Sequence, residues 1–220
     1  MRAWLALRAS GVEFDEEIVD IRRPRRFEGL ARVGAFSPSA TVPALVVEGT
    51  VIFDSLSIME FANEMASGVL LPAEPFKRTQ ARSILAWQHA GLSGICSRIS
   101  FESSFYPLKR SLEEDEIAGC NRLFAFLERI HSAGDGPFLF GSVSLADFAL
   151  TPAVIRLSRH KAPVEAFPRV DQWMSAVMHH PLVVEWLGEA DALPHIWYDD
   201  YLVPGQSIEK AFELDAIHGH

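Results

Sequence analysis

Residues 37–47 read SPSATVPALVV, and after a Gly49-Thr50 turn the chain continues as VIFDS at residues 51–55. Pro43 has no N–H to donate to a sheet, so it belongs at the first residue of a strand or on a sheet edge. The backbone N–H and C=O of Val42 are then left for a ligand. Asp54 and Ser55 are placed to cap a helix, whose N-terminus attracts a carboxylate. The stretch therefore predicts two short strands, a hairpin turn and a helix start that together bind a small anionic molecule.

A second motif, GSVSLADF, stands at residues 141–148. Ser144 and Asp147 have the spacing of a capping box, with Asp in place of the usual Glu or Gln. Val143 and Phe148 are placed to form the hydrophobic staple of the same helix start. We interpret this motif as a folding element and assign Ser144 and Asp147 no catalytic role.

The order of the two motifs resembles that of the glutathione S-transferase family. The resemblance implies an α/β N-terminal domain of thioredoxin-like fold, lacking its first strand, and an all-α C-terminal helical domain. It implies that the Val42–Pro43 bond is cis and that Val42 pairs through its backbone with the cysteinyl unit of glutathione. Asp54 and Ser55 would hold the γ-glutamyl end. The expected glutathione-binding residues are Thr41, Val42, Pro43, Asp54 and Ser55.

Two departures from the family pattern affect what the resemblance implies. Family members carry a basic residue just before Val-Pro, where this chain has Ala40-Thr41. The contact to the glycyl end of glutathione is therefore open between the basic run at residues 22–26 and a residue of a partner subunit. The family's first strand and the loop that carries its catalytic Ser, Tyr or Cys would precede Met1. We therefore assign no catalytic residue, and we expect the coding frame to begin upstream.

Three functions remain open at this point. The first is a transferase that joins the thiol of glutathione to a small, apolar electrophile. The second is a non-catalytic family member used for protein interaction or ligand binding, which the lack of an activating residue favours. The third is an enzyme resembling maleylacetoacetate isomerase, which would carry a Ser-Ser-Cys loop upstream.

Composition excludes several classes of protein. The chain has 220 residues, of which 49% are hydrophobic and 22% charged, enough for a sizeable core. Its net charge of −9 argues against nucleic-acid binding. We expect the basic run to be solvated. No segment has the length of a membrane span or the form of a signal peptide, so we expect a cytoplasmic protein without a membrane partner.

The pattern of apolar residues and breakers predicts the order of elements. We expect domain boundaries at 1–67, a linker at 68–75, and a helical domain with an irregular tail at 76–220. Alternation at residues 13–21 predicts a strand. The remaining elements predicted are helices at 1–10, 25–33 and 54–67, strands at 43–48 and 51–53, helices at 76–98, 111–133, 144–159, 168–179 and 181–187, and a short helix at 207–217.

Several side chains outside the two motifs are candidates for function. We interpret His89 as an interior packing residue, and Cys96 and Cys120 as reduced core residues rather than nucleophiles. The family places its electrophile pocket near the aromatic set Phe101, Phe105 and Tyr106. His179 and His180 have no acid or cysteine at a metal-binding spacing, and we expect no metal. The resemblance and the apolar helix predicted at 76–98 imply a homodimer.

Overall fold

The computed structural model describes residues 1–21, 26–106, 108–131 and 136–193. The elements, in chain order, are α1 (Arg2–Ser10), α2 (Arg26–Gly34), β1 (Ala44–Val47), β2 (Thr50–Phe53), α3 (Ser55–Met65), α4 (Pro75–His89), α5 (Ile95–Arg98), α6 (Glu114–His131), α7 (Leu145–Arg159), α8 (Pro168–Met178) and α9 (Pro181–Asp191). Short 3₁₀ helices at Leu92–Gly94 and Glu102–Phe105 flank α5. The fold is that expected from the sequence: a small sheet with helices, followed by a helical region.

β1 and β2 form an antiparallel hairpin, as predicted. The paired residues run from Ala44 opposite Phe53 to Val47 opposite Thr50. The intervening Glu48 and Gly49 both have positive φ, of 48° and 80°. This is the backbone of the two-residue turn that suits the right-handed twist of a hairpin.

The strand predicted at residues 13–21 is wrong. Residues 12–21 form no strand, and within the described ranges the sheet contains only β1 and β2. Alternation of apolar residues reports which side chains face inward, but a strand also needs a neighbour for its backbone hydrogen bonds. The segment instead lies against α2, where a Cβ on Gly29 would overlap the Asp20 carbonyl oxygen.

The single helix predicted at 76–98 is broken. α4 ends at His89, and four consecutive residues, Gly91 to Gly94, have positive φ before α5 begins. Two glycines three positions apart favour such a left-handed turn, because glycine adopts positive φ without a steric cost. After the break, α5 packs on the Leu92–Gly94 turn and on α6.

The centre of the helical region is α7, whose residues from Leu145 to Thr151 are all buried. The predicted capping box is confirmed at its start. Asp147 is fully buried and accepts hydrogen bonds from Ser144 N–H at 2.8 Å, Leu139 N–H at 3.1 Å and Trp173 Nε1–H at 2.8 Å. The sequence motif did not identify Trp173, which joins α8 to this helix start.

Contacts between the two regions pass through α1, which packs on α3, α7 and α9. Leu5 and Ala6 at the centre of α1 have no exposed surface. Leu70 and Leu71, in the predicted linker, are buried, and the Leu70 carbonyl accepts a hydrogen bond from Leu145 N–H at 2.8 Å. The connection is therefore part of the core rather than a solvated tether.

At the C-terminal end, α9 continues to Asp191, past the helix end predicted at 187. The rest of the predicted tail, with its helix at 207–217, and residues 22–25 of the basic run lie outside the described residues. Within the part of the chain that the structure describes, no helix is both long and apolar enough to cross a membrane.

Candidate functional site

The β1–β2 hairpin brings the Val42–Pro43 peptide close to Asp54 and Ser55 at the start of α3. Because Ala44 pairs with Phe53, one further step along both strands leads to Pro43 and Asp54. The Val42–Pro43 peptide is cis, as the resemblance implied. Val42 is 39% exposed, and its backbone N–H and C=O make no hydrogen bond to any residue that the structure describes. An accessible backbone donor and acceptor therefore lie next to the start of α3.

Asp54 caps α3, as predicted. Its Oδ1 accepts a hydrogen bond from Leu56 N–H at 2.7 Å. Asp54 itself has a φ of 73°, an uncommon conformation for a residue with a side chain. Ser55, the first residue of the helix, is only 5% exposed. The hydroxyl thus lies at the rim of the core, while the Asp54 carboxylate remains half-exposed.

Two residues at the C-terminal end of α4 also meet this site. His89 Nε2 lies 3.4 Å from Asp54 Oδ2, and the His89 side chain is 42% exposed, so its interpretation as an interior packing residue is wrong. The preceding Gln88 is buried and accepts a hydrogen bond from Arg2 of α1. Burial lowers the pKa of the Arg2 guanidinium, and the nearby Asp54 carboxylate opposes that shift.

Sequence reasoning missed Arg2 and Gln88 as site residues. The sequence predicts only that Arg2 lies in the helix at 1–10 and Gln88 in the helix at 76–98. The sequence feature that could have pointed to this site is the pair of consecutive polar residues Gln88 and His89 near the end of an amphipathic helix. That signal does not identify Asp54 or Arg2 as partners, because both lie far away along the chain.

A second group of side chains adjoins the first through Arg2. Arg156 of α7 donates from Nη1 toward Cys96 Sγ at 3.8 Å. The charge of Arg156 lowers the pKa of Arg2, and Cys96 raises it. Cys96 is only half-buried, which corrects its interpretation as a core residue. The guanidinium of Arg156 lies over the Phe101 ring, with its Cζ 5.1 Å from the ring centroid.

Two of the three residues of the expected aromatic set form a ring contact. Phe101 and Phe105 meet edge to face with centroids 5.5 Å apart, and Trp186 of α9 joins them at 6.2 Å from Phe101. Tyr106 is 3% exposed and belongs to the core. Trp186 could not be identified from the sequence, since it enters from a helix about 80 residues downstream.

The remaining candidates have structural roles. Cys120 is fully buried, and burial raises the pKa of its thiol to about 11, so it is not a nucleophile at neutral pH. His180 caps α9 by accepting from Leu182 N–H at 3.3 Å. Within the described ranges, no three or more His, Cys, Asp or Glu side chains come together in a way that could hold a metal ion.

Two domain models of one protein family match this chain. Residues 1–65 match the family model of the glutathione S-transferase N-terminal domain, and residues 112–176 match that of the C-terminal domain. This chain belongs to the glutathione S-transferase family. Its function is accordingly that of a glutathione-dependent transferase, and the non-catalytic alternative is not favoured.

Individual relatives agree with this assignment. The chain is 27% identical to the probable maleylacetoacetate isomerase of Caenorhabditis elegans over 183 residues, which cover 78% of this chain and 79% of that protein. An epsilon-class glutathione S-transferase from housefly, Musca domestica, has a TM-score of 0.67 at 19% identity, covering 86% of this chain and 87% of its own. A glutathione transferase homolog from sulfitobacter, solved with bound glutathione, has a TM-score of 0.62 at 17% identity, covering 86% and 92%. These two structures share the fold with this glutathione S-transferase family member.

Proposed function

We propose that the hairpin end and the start of α3 bind glutathione. Val42 would pair through its backbone with the cysteinyl unit, Pro43 would shape that edge, and Thr41 would lie beside the glycyl end. Asp54 and Ser55 would hold the γ-glutamyl end. The observation that supports the proposal is the register of β1 and β2, which brings the backbone groups of Val42, unpaired among the described residues, beside Asp54.

The charges of the site suit the two ends of a γ-glutamyl group. This group carries an ammonium and a carboxylate on the same carbon. The half-exposed Asp54 carboxylate attracts the ammonium, while the N-terminus of α3 attracts the carboxylate. The Arg2 guanidinium, whose charge interacts with that of Asp54, would add a positive charge near the carboxylate of the γ-glutamyl group.

The reaction we propose is attack of the glutathione thiolate on a small electrophile with an apolar body. Phe101, Phe105 and Trp186 offer an aromatic surface for that body. The protein would accelerate the reaction by holding the two reactants together and by stabilising the thiolate. We assign the catalytic group to none of the described residues.

Isomerisation is a second candidate reaction. It is supported by the relative from Caenorhabditis elegans, which is named a probable maleylacetoacetate isomerase. A glutathione-dependent isomerase would use the same glutathione site, with the thiolate adding to the substrate and leaving again. The two reactions share every binding residue proposed here.

The assembly and the cellular location are also proposals. We propose a homodimer, the assembly implied by the family resemblance. We further propose a cytoplasmic location, supported by two free cysteines and no disulfide within the described ranges.

Calorimetric titration with glutathione and with cysteinylglycine, which lacks the γ-glutamyl group, tests the glutathione site. Asp54→Asn keeps a cap for α3 but removes the charge, so glutathione binding should weaken by roughly 1–2 kcal/mol. Binding of cysteinylglycine should not change. Asp171→Asn, in the first turn of α8, is the matched control and should bind both as the wild type does. Equal glutathione affinity in folded Asp54→Asn and wild type would remove Asp54 from the site.

A further inference from the structure

Arg156 of α7 is a half-buried cation, and no carboxylate of the described residues forms an ion pair with it. Its Nε atom is buried and has no hydrogen-bond partner, and among the described residues its only hydrogen-bond contact is the Cys96 sulfur at 3.8 Å. A thiol sulfur is a weak acceptor. Charged side chains that leave water are normally paired, because the desolvation cost is otherwise uncompensated.

Arg159, one helical turn further along α7, provides the comparison. It lies over the Phe105 ring with its Cζ 4.5 Å from the centroid, as Arg156 lies over Phe101. Arg159, however, has an ion pair with Asp191 at 3.2 Å. Both arginines therefore lie over aromatic rings that are in contact with each other. Arg159 has a carboxylate partner, whereas Arg156, which contacts Cys96, has none among the described residues.

The surroundings of Arg156 indicate what its partner would be. Arg2 adds a second guanidinium, and both burial and the charge of Arg156 lower its pKa; burial also lowers the pKa of Arg156. Glu102 is close enough to act on Arg156 through space, but its carboxylate accepts a hydrogen bond from Ser100 Oγ at 3.1 Å and does not pair with Arg156. An anionic group placed here would neutralise the two cations while its apolar body contacts Phe101.

We propose that Arg156, with Arg2 beside it, forms a subsite for a carboxylate of the electrophilic co-substrate. The inference rests on the proposed glutathione function and narrows the substrate to electrophiles that combine an apolar body with a carboxylate. Arg156 is then a specificity-determining residue. It selects among electrophiles and leaves the binding of glutathione itself unchanged.

Product analogues test the subsite without requiring turnover. We would measure by calorimetry the binding of S-benzylglutathione and of its ortho-, meta- and para-carboxybenzyl isomers. Wild type should bind at least one carboxylated isomer about tenfold more tightly than S-benzylglutathione. Arg156→Gln should lose that preference and keep its affinity for S-benzylglutathione. Arg122→Gln, at an exposed arginine of α6, is the matched control and should retain the preference.

Each result decides one of the two proposals. A wild-type protein that binds S-benzylglutathione but gains nothing from any carboxylate overturns the subsite and leaves the glutathione site standing. A preference that survives in Arg156→Gln does the same. Failure of S-benzylglutathione to bind overturns both. If Arg156→Gln does not melt cooperatively, Arg156→Met, which keeps an unbranched apolar stem over Phe101, must give the same loss of preference.

Discussion

At the residue scale, the site depends on a few polar side chains whose partners come from distant parts of the chain. Asp54 caps its own helix through one oxygen and faces His89 through the other. Arg2 links Gln88 to the Asp54 charge. The Asp54 carboxylate therefore has both a structural and an electrostatic role. Asn at position 54 can still cap the helix but carries no charge, so Asp54→Asn separates the two roles.

His160 gives a pH prediction at the same scale. Its Nδ1–H donates to the Arg156 carbonyl at 2.8 Å, so that Nε2 accepts from the Ser103 hydroxyl at 3.0 Å. Burial lowers the pKa of this imidazole. The unfolded chain, with a His pKa of about 6.5, then binds the proton more readily than the folded chain. Stability contributed by neutral His160 is therefore present above about pH 6.5 and is lost as the pH falls below it.

Thermal unfolding of wild type and His160→Asn at pH 7 and pH 5 measures this contribution. Asn keeps a donor near the Nδ1 position and does not titrate. The melting temperature of wild type should fall more between pH 7 and pH 5 than that of the variant. Buried Asp147 and half-buried His180 also titrate, but they are common to both proteins and cancel in the comparison. Equal losses in the two proteins would contradict the prediction.

At the element scale, α2 lies in close contact with the backbone of the segment that precedes it. Gly29 lies inside α2, and an added Cβ would overlap the Asp20 carbonyl oxygen. Gly119 lies inside α6, and an added Cβ there would meet only side-chain atoms at 3.8 Å. The same substitution should therefore have opposite effects in two helices.

Gly29→Ala should destabilise the protein by about 1–3 kcal/mol, because the backbone must move to relieve the overlap. Gly119→Ala should stabilise it by up to about 1 kcal/mol, since alanine favours the helix and loses no contact. Urea unfolding of both variants measures the two signs. A neutral or stabilising Gly29→Ala would show that residues 12–21 do not lie against α2.

At the scale of the whole molecule, the stretch of chain from the end of α3 to the start of α4 carries three exposed apolar side chains. Met65 is 52% exposed, Val69 72% and Phe76 86%. Apolar surface that a soluble protein exposes as a patch commonly marks an interface. This surface is where we place the contact between two subunits of the proposed homodimer.

Light scattering across micromolar concentrations should give twice the mass of one chain. Phe76→Glu should shift the protein toward the monomer, because an unpaired charge would be buried at the interface. Val184→Glu, at a half-exposed valine of α9, is the matched control and should remain dimeric. A wild-type monomer at all concentrations, or a Phe76→Glu dimer as stable as the control, would count against this interface.

The cis Val42–Pro43 bond was implied by the family resemblance. Local chemistry along the sequence was sufficient for the hairpin, the Asp54 cap and the capping box of Ser144 and Asp147. Each of these depends on residues within a few positions of one another, so a short stretch of sequence specifies it. Only the tertiary structure decided that residues 12–21 form no strand, because pairing needs a neighbouring backbone. It alone also brought His89 to Asp54 and Arg156 to Phe101 and Cys96, because contacts across such separations depend on how the helices pack, and no local pattern records that packing.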